Sequence, residues 1–250
     1  KAKSGERQQK VSAILALENV SKSFGALKVT DGITLSVTEG EMLGILGPNG
    51  AGKTTLFNLI SGDLHADSGR VLLGGEDVTF HPPHRRCRAG IGRSYQIPQP
   101  FGAMTVFENL VAAASFGTGT EEKQTYARAV EILRETRLLA KANRLAGSLT
   151  LLDRKRLELA RALVTQPKVL LLDEIAGGLT EREADELVEE IRRIKAQAVT
   201  MIWIEHVVHA LLAVADRLFV INFGRKLAEG EPSTVMNNPE VRRVYMGLEA

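Results

Sequence analysis

A glycine-rich turn between two apolar segments constrains the fold of this chain more than any other feature of its sequence. The stretch Ile45 to Leu56, ILGPNGAGKTTL, contains the pattern GxxxxGK[ST] on Gly47, Gly52, Lys53 and Thr54. The segment EMLGILG before the turn predicts a buried strand, and KTTLFNLISG after it predicts a helix. A strand, a glycine turn and a helix in this order indicate a phosphate-binding loop in an α/β fold.

The residue types of this turn suit the phosphates of a nucleotide. Glycines let backbone N–H groups turn inward toward phosphate oxygens, and the N-terminus of the following helix adds partial positive charge. We expect the Lys53 ammonium to contact the β and γ phosphates and the Thr54 hydroxyl to bind Mg²⁺. The predicted nucleotide-binding residues of the turn are Gly47, Asn49, Gly50, Gly52, Lys53, Thr54 and Thr55.

A second apolar segment ends in two carboxylates. KVLLLDE is a continuous apolar run, typical of a parallel strand buried on both faces, and it ends at Asp173 and Glu174. Ligands of open α/β sheets bind at the carboxyl ends of the strands. We therefore expect Asp173 to be a direct or indirect partner of Mg²⁺ and Glu174 to orient or deprotonate the attacking water, with a surface salt bridge as the alternative for Glu174. The chain has no NKxD-type guanine-recognition motif, which favours ATP over GTP.

Strand-like and helix-like segments alternate along most of the chain. Short β-rich segments at residues 14–41 predict strands and hairpins, and GRVLLGGEDV predicts strands that complete a small sheet. Residues 98–160 have helical periodicity and predict a helical insertion, whereas VTMIWIE and RLFVINF predict further strands. The predicted fold class is therefore α/β: a P-loop NTPase core with a mostly parallel sheet, an N-terminal antiparallel β subdomain and a helical insertion.

Two segments have the periodicity of amphipathic helices. Within the helical insertion, one predicted helix face consists of Tyr126, Val130, Leu133 and Arg137. In the helix expected after Glu174, the predicted apolar face consists of Leu187, Val188, Ile191 and Ile194.

The segment HPPHRRCR, residues 81–88, contains His81, His84 and the single cysteine of the chain, Cys87. Two prolines interrupt it and a fourth metal ligand is missing, so it predicts a solvated loop and not a metal site. Its three arginines predict a basic surface, with contact to lipid headgroups or a membrane partner as the alternative. These arginines are Arg85, Arg86 and Arg88.

Composition bounds the class of protein. The 250 residues are 44% hydrophobic and carry a net charge of only +2, which is typical of a compact globular domain and gives no global basic field for nucleic acid. A single cysteine excludes an internal disulfide and fits a reducing compartment.

No apolar run reaches the roughly 18 residues of a membrane span, since HALLAVADRLFVINF is interrupted by Asp216 and Arg217. The basic residues 1–11 predict a disordered tail and not a signal peptide.

From about Leu15 to Gly247 the sequence resembles the ATPase subunits of ABC transporters. GPNGAGKTT resembles the Walker A motif of that family, VLLLDE its Walker B motif, and RLELARAL the helix after its signature motif. Gln96 in RSYQIP is similar to the glutamine of the Q-loop, and His206 in WIEH is similar to the switch histidine. Phe24 in SKSFGAL stands where the family stacks an aromatic side chain on adenine.

The resemblance implies roles for these residues and implies ATP and Mg²⁺ as cofactors. Glu174, His206 and Gln96 would be the catalytic residues. His206 would contact the γ-phosphate, and Gln96 would sense the metal and couple it to the helical insertion. Phe24 would bind the adenine. The residues around the metal would be Thr54, Gln96 and Asp173.

The sequence departs from the family in its signature motif. Counting back from Arg161, the family's LSGGQ falls on LTLLD, residues 149–153, so leucines replace both glycines. In the family this loop closes over ATP that is bound by the other subunit of a head-to-tail dimer. Thr150 can replace the serine hydroxyl and, with Asp153, it predicts a helix N-cap, so we expect a working but weakened contact between Thr150 and nucleotide. Thr180 also stands where an aspartate of the D-loop is common.

Within the family, the segments FGALKVTDGITLSV, GIGRSYQIPQPFGAMTVFENL and DEIAGGL resemble subunits of importers of branched-chain and other hydrophobic amino acids. This resemblance implies a single ABC ATPase domain over residues 12–250, with residues 98–160 as its helical subdomain, located peripherally at the cytoplasmic face of the inner or plasma membrane. The implied partners are membrane permease subunits, a second ATPase subunit in an ATP-dependent homo- or heterodimer and, indirectly, a periplasmic substrate-binding protein. No nucleic-acid partner is expected.

Two alternatives stay open at this stage. An ABC exporter, for example one for lipopolysaccharide, shares the same motifs. A soluble ABC ATPase that acts on DNA or ribosomes is the more distant alternative. DNA-repair members carry long coiled-coil or zinc insertions, and ribosomal members carry two ATPase domains in one chain; neither feature is present in this sequence.

Overall fold

Two β-sheets and the helices around them form residues 13–246, which the structure, a computed structural model, describes. The predicted tail at residues 1–11 lies outside the described residues. The strands are β1 (Ala13–Phe24), β2 (Leu27–Thr38), β3 (Met42–Leu46), β4 (Ser68–Leu73), β5 (Glu76–Asp77), β6 (Ile91–Ser94), β7 (Val169–Asp173), β8 (Thr200–Ile204), β9 (Arg217–Asn222) and β10 (Arg225–Gly230). The helices are α1 (Lys53–Ser61), α2 (Pro83–Ala89), α3 (Val106–Thr118), α4 (Glu122–Glu135), α5 (Leu151–Leu163), α6 (Glu181–Lys195), α7 (Val208–Leu212), α8 (Pro232–Met236) and α9 (Pro239–Met246).

The smaller sheet is antiparallel, in the order β2-β1-β4-β5. Alternate residues of its strands are buried, as in β1 at Leu15 and Leu17, because one face of the sheet packs on the core and the other does not. The segment GRVLLGGEDV folds into two strands, β4 and β5, that meet at Gly74 and Gly75. The predicted small antiparallel sheet is confirmed.

The larger sheet has the order β10-β9-β3-β8-β7-β6, and all its pairs are parallel except β10 with β9. Every residue of β3, β7 and β8 is buried, as the continuous apolar runs predicted. One apolar cluster lies between the two sheets around α1, and another packs the helices against the opposite face of the larger sheet. The predicted α/β class with a mostly parallel sheet is confirmed.

The helical region between β6 and β7 contains α3, α4 and α5. The helix predicted from the spacing of Tyr126, Val130, Leu133 and Arg137 is present as α4, but the predicted face is only partly right: Leu133 is buried, Tyr126 is exposed, and Arg137 lies beyond the helix with a φ of +58°. The helix ends at Glu135, before Arg137, and its buried residues are Thr125, Ala129, Ile132 and Leu133. In α6 the predicted face at Leu187, Val188, Ile191 and Ile194 is buried and is confirmed. Among residues 13–246, no helix combines the length and apolar character that crossing a bilayer requires.

The predicted solvated loop at residues 81–88 is instead largely the short helix α2. Proline is tolerated in its first turn because N–H groups there have no partner within the helix. Arg86 is buried, so it is not part of the predicted basic surface, whereas Arg85 and Arg88 are exposed. The Arg86 guanidinium donates to four backbone carbonyls: His81 at 2.9 Å, Leu59 at 2.5 Å, Ile60 at 2.8 Å and Thr79 at 2.6 Å. Burial lowers the pKa of Arg86 to about 10. Because Leu59 and Ile60 belong to α1, the Arg86 side chain joins α2 to α1.

Replacing Arg86 by methionine should destabilise the protein strongly. The change leaves buried carbonyl oxygens without donors, and we expect a loss of about 3 kcal/mol in the free energy of unfolding. Urea denaturation followed by circular dichroism measures it. The exposed neighbour Arg85 provides the matched control, because Arg85→Met should change stability by less than about 0.5 kcal/mol. Equal effects of the two substitutions would contradict the structural role of Arg86.

Candidate functional site

Four loops meet at the edge of the larger sheet where β3, β6, β7 and β8 end. These strands are parallel neighbours in the order β3-β8-β7-β6, so their carboxyl ends lie side by side. The loop after β3 is the glycine-rich turn, and the other three loops contain Gln96, Glu174 and His206. Residues that are far apart in the sequence therefore come together at this edge.

Close backbone contacts explain two glycines of the turn. A Cβ atom at Gly47 would lie 2.4 Å from the carbonyl oxygen of Ile221 in β9. Gly52 has a φ of +103°, and a Cβ atom there would lie 2.5 Å from the carbonyl oxygen of Val29 in β2. Contacts with a backbone atom cannot be relieved by rotating a side chain, so no other residue fits without displacing a strand. The turn is thereby fixed against both sheets.

The Lys53 side chain is folded back over its own turn. Its Nζ donates to the carbonyl oxygens of Gly47, at 2.7 Å, and Pro48, at 3.0 Å. Burial lowers the pKa of Lys53, while the negative charges of Glu174 and Asp173 act in the opposite direction. Lys53 therefore places a buried positive charge within the turn and close to two carboxylates.

Both carboxylate oxygens of Glu174 have partners among the predicted catalytic residues. Gln96 Nε2 donates to Oε2 at 2.5 Å, and His206 Nε2 lies 2.6 Å from Oε1. The Glu174 side chain is largely buried, whereas the His206 side chain is 44% exposed. The structure thus brings Glu174, Gln96 and His206 into direct contact from the ends of three different strands.

The neighbouring carboxylate, Asp173, is paired with an arginine that the sequence analysis missed. Arg93, in β6, donates from Nη2 to Asp173 Oδ2 at 2.8 Å, and both side chains are buried. The other terminal nitrogen of Arg93 donates to Asn58 at 2.7 Å, Ser61 at 3.0 Å and Asp63 at 3.0 Å. Arg93 therefore supplies a cation that offsets the repulsion between Asp173 and Glu174. Its position three residues before Gln96 was the only signal in the sequence.

A third carboxylate, also missed, joins the loops that follow β7 and β8. Glu205 is buried and accepts hydrogen bonds from the backbone N–H groups of Ala176 at 3.1 Å, His206 at 2.9 Å and Val207 at 3.4 Å. Burial raises the pKa of Glu205, and these three donors act in the opposite direction. Because Ala176 follows Glu174 by two residues, Glu205 fixes the loop of Glu174 relative to that of His206.

Most of the predicted residues surround one cavity of about 190 Å³. Its lining consists of Val29, Asn49, Gly50, Ala51, Gly52, Lys53, Thr54, Thr55, Glu174 and His206. Three predicted residues lie just behind this lining: Gly47 binds Lys53, Gln96 binds Glu174, and Asp173 precedes Glu174 in the chain. The cavity therefore joins the glycine-rich turn to the carboxylate and histidine of the neighbouring strands.

Two further predicted nucleotide-binding residues, besides Gly47, lie outside the cavity lining. Phe24, the last residue of β1, is 48% exposed. Thr150 is the N-cap of α5, as predicted, and its hydroxyl accepts from the N–H of Asp153 at 3.3 Å and donates to the Asp153 carboxylate at 3.0 Å. The hydroxyl proton of Thr150 is thus used within the chain. Contact of Phe24 or Thr150 with a nucleotide stays a prediction.

Comparison with protein families gives two matches. Residues 30–177 match the sequence profile described as ABC transporter. Residues 225–250 match a second profile, described as branched-chain amino acid ATP-binding cassette transporter. The first match covers the glycine-rich turn, the Gln96 loop and Glu174.

Individual proteins resemble the chain over nearly its whole length. The high-affinity branched-chain amino acid transport ATP-binding protein BraF of Pseudomonas aeruginosa is 35% identical over 249 residues, which cover 94% of this chain and 98% of that protein. The lipopolysaccharide export system ATP-binding protein LptB of Haemophilus influenzae is 34% identical over 235 residues, with the same coverage of 94% and 98%. A crystal structure of the ADP conformation of an ABC transporter's ATP-binding cassette superposes with a TM-score of 0.86 at 35% identity, covering 95% of this chain and 100% of that one.

Replacing Lys53 by alanine should abolish most nucleotide binding. The change removes the charge of the turn and the hydrogen bonds that we expect Lys53 to form with phosphate, so ATP affinity should fall by about 100-fold or more. Isothermal titration calorimetry with ATP and Mg²⁺ measures it. The control is Lys123→Ala, which removes an exposed lysine of α4 and should leave the affinity unchanged. Unchanged affinity in Lys53→Ala would show that the turn is not the phosphate site.

Proposed function

The chain belongs to the ABC transporter family as an ATP-hydrolysing subunit, and we propose that it powers the import of branched-chain or other hydrophobic amino acids. The main evidence for this class of transported substrate is the second profile match, over residues 225–250, which lies outside the ATP-binding motifs. Similarity to BraF over 94% of the chain supports the same class. Cargo selection itself belongs to other subunits, so this chain supplies energy to the transporter.

The residues of the cavity fit a nucleoside triphosphate with Mg²⁺. Apart from Gly50 and its two chain neighbours, none of the described residues has an atom within 4 Å of the position of a Cβ atom at Gly50, so the backbone of the turn is open to a ligand there. Backbone N–H groups and Lys53 would bind the phosphates, and Phe24 would stack on the adenine. Oxygen ligands, which Mg²⁺ prefers, would come from Thr54, Gln96 and Asp173. The ion, when bound, neutralises phosphate charge and polarises the γ-phosphoryl group.

Glu174 is the proposed general base. Its carboxylate would orient the attacking water and accept a proton from it. Gln96 and His206 each occupy one acceptor position on this carboxylate, and movement of either side chain would widen the access of a water to it. His206 is the more exposed side chain of the pair with Glu174. Transfer of the His206 imidazole from Glu174 to the γ-phosphate would free Oε1 for the water.

An exposed apolar surface next to Gln96 supports the proposed membrane partner. Four large apolar side chains in and after the Gln96 loop are exposed: Tyr95, Ile97, Phe101 and Met104. Contiguous exposed apolar side chains are typical of protein–protein interfaces. We assign this surface to permease subunits, which would place the chain peripherally at the cytoplasmic face of the membrane. A second ATPase subunit, identical or paralogous, would complete an ATP-dependent dimer, and a periplasmic substrate-binding protein would take part indirectly.

An ABC exporter is the second candidate function. It is supported by the 34% identity to the lipopolysaccharide export protein LptB over 94% of the chain. The profile match at residues 225–250 favours amino-acid import over this alternative.

Replacing Glu174 by glutamine should slow ATP hydrolysis by about 10² to 10⁴-fold, because the amide cannot accept the proton of the water. ATP binding should be retained, since the side chain keeps its size and the turn is unchanged. A phosphate-release assay measures the rate, and calorimetry measures ATP affinity. The control is Glu181→Gln, an exposed residue of α6 that should leave both values unchanged. A near-normal rate in Glu174→Gln would assign the base to another residue.

The transport function is tested on the assembled complex. Affinity purification from native membranes in detergent should recover permease subunits, and proteoliposomes that contain the complex should accumulate radiolabelled leucine when supplied with Mg·ATP. The Glu174→Gln complex should not accumulate it. Recovery of a lipopolysaccharide-export permease without leucine uptake would support the exporter. Recovery of nucleic acid that high salt removes would contradict both transport functions.

A further inference from the structure

A buried lysine of α5, Lys155, lies outside the set of residues that the proposed reaction uses. It is 3% exposed, and within residues 13–246 it forms no salt bridge. Burial lowers the pKa of Lys155, and the charges of Glu205, Glu174 and Asp173, among others, act in the opposite direction. A buried ammonium group without a directly bound carboxylate is costly, and a neutral side chain of similar length would fill the same space. The contacts of the Lys155 Nζ explain why a charged side chain occupies this position.

Lys155 binds the backbones of two predicted catalytic residues. Its Nζ donates to the carbonyl oxygen of Gln96 at 2.6 Å and lies 3.3 Å from that of Glu174, as a second acceptor. The side chains of Gln96 and Glu174 are themselves joined by a hydrogen bond of 2.5 Å. The three residues therefore form a closed ring, in which one member comes from α5 and the others follow β6 and β7.

The backbone of Glu174 needs such contacts. Its φ of +46° lies in the left-handed region, which is unfavourable for a residue with a side chain and persists only when the surroundings enforce it. The N–H of Glu174 donates to the carbonyl oxygen of Ile204 at 2.8 Å, and its own carbonyl oxygen accepts from the N–H of Gly177 at 3.1 Å. These contacts come from the larger sheet and from the same loop. Lys155 adds a contact from α5.

The helix that contains Lys155, α5, is joined to its neighbours by specific contacts. The next residue, Arg156, forms a buried ion pair with Glu190 of α6, with an Nη2–Oε1 distance of 2.6 Å. At its start, α5 is capped by Thr150. The position of Nζ is therefore set by the position of α5 as a whole.

We propose that Lys155 is a positioning residue for ATP hydrolysis: it ties the backbones of Gln96 and Glu174 to α5, so that a shift of α5 relative to the larger sheet moves the Glu174 carboxylate. The proposal rests on the proposed role of Glu174 as the base. The chemistry of Lys155 suits it, because an ammonium group carries three donors and can bind two carbonyl oxygens at once. Movement of the base by about 1 Å is enough to change the rate by about 10²-fold.

The first test is Lys155→Met, which keeps the length of the side chain and removes its donors. We expect kcat for ATP to fall by about 10- to 100-fold, while KM and the calorimetric Kd for ATP change by less than about twofold. Lys155→Gln keeps an N–H donor and should retain more activity than Lys155→Met. Lys195→Met is the matched control, because Lys195 Nζ also donates to a backbone carbonyl, that of Val214 at 2.7 Å, away from the cavity. It should leave kcat unchanged.

A double-mutant cycle with Glu174→Gln separates positioning from a general effect on structure. If Lys155 acts through the Glu174 carboxylate, Lys155→Met should lower the residual rate of the Glu174→Gln protein by less than about twofold. The same fold loss in both backgrounds, or a raised KM with unchanged kcat, would overturn the proposal. Should Lys155→Met fail to fold, the cycle is measured with Lys155→Gln. A near-normal rate in Glu174→Gln alone would instead refute the proposed base.

Discussion

Buried negative charge at the ends of β7 and β8 is the constraint on which the rest of the site depends. The three carboxylates there are Asp173, Glu174 and Glu205. Carboxylates this close together require positive groups or N–H donors in a low-dielectric environment. The positive groups come from three other elements: Arg93 of β6, Lys53 of α1 and Lys155 of α5. The site is therefore complete only when the glycine-rich turn, the sheet and the helical region are assembled together.

The residues that touch the ligand in the proposed reaction could be predicted from the sequence, and the residues that hold them could not. Lys53 lies in a glycine-rich turn and Glu174 at the end of an apolar strand, and each pattern can be recognised from a few neighbouring residues. Arg93 and Lys155 act on partners that the fold brings near from distant parts of the chain. A basic residue in a strand or helix carries no local sign of such a partner, so a single sequence does not distinguish it from a surface residue.

The fold shows a similar division. Continuous apolar runs identified β3, β7 and β8, because strands buried on both faces leave little choice of residue. Patterns that depend on where a helix begins or ends were less reliable. Arg137 was assigned to a helix that ends before it, and α2 was taken for a loop because its prolines lie in the one turn where a helix accepts them.

At Glu174, the backbone conformation that is needed lowers stability, while the side chain supplies the carboxylate of the proposed reaction. Glycine adopts this conformation without penalty, so a glycine at position 174 would relieve strain of about 1 kcal/mol and at the same time remove the carboxylate. A substitution chosen at this position for stability alone would thus remove the proposed general base. The glutamate at this position keeps the carboxylate of the proposed base at the expense of a more relaxed backbone.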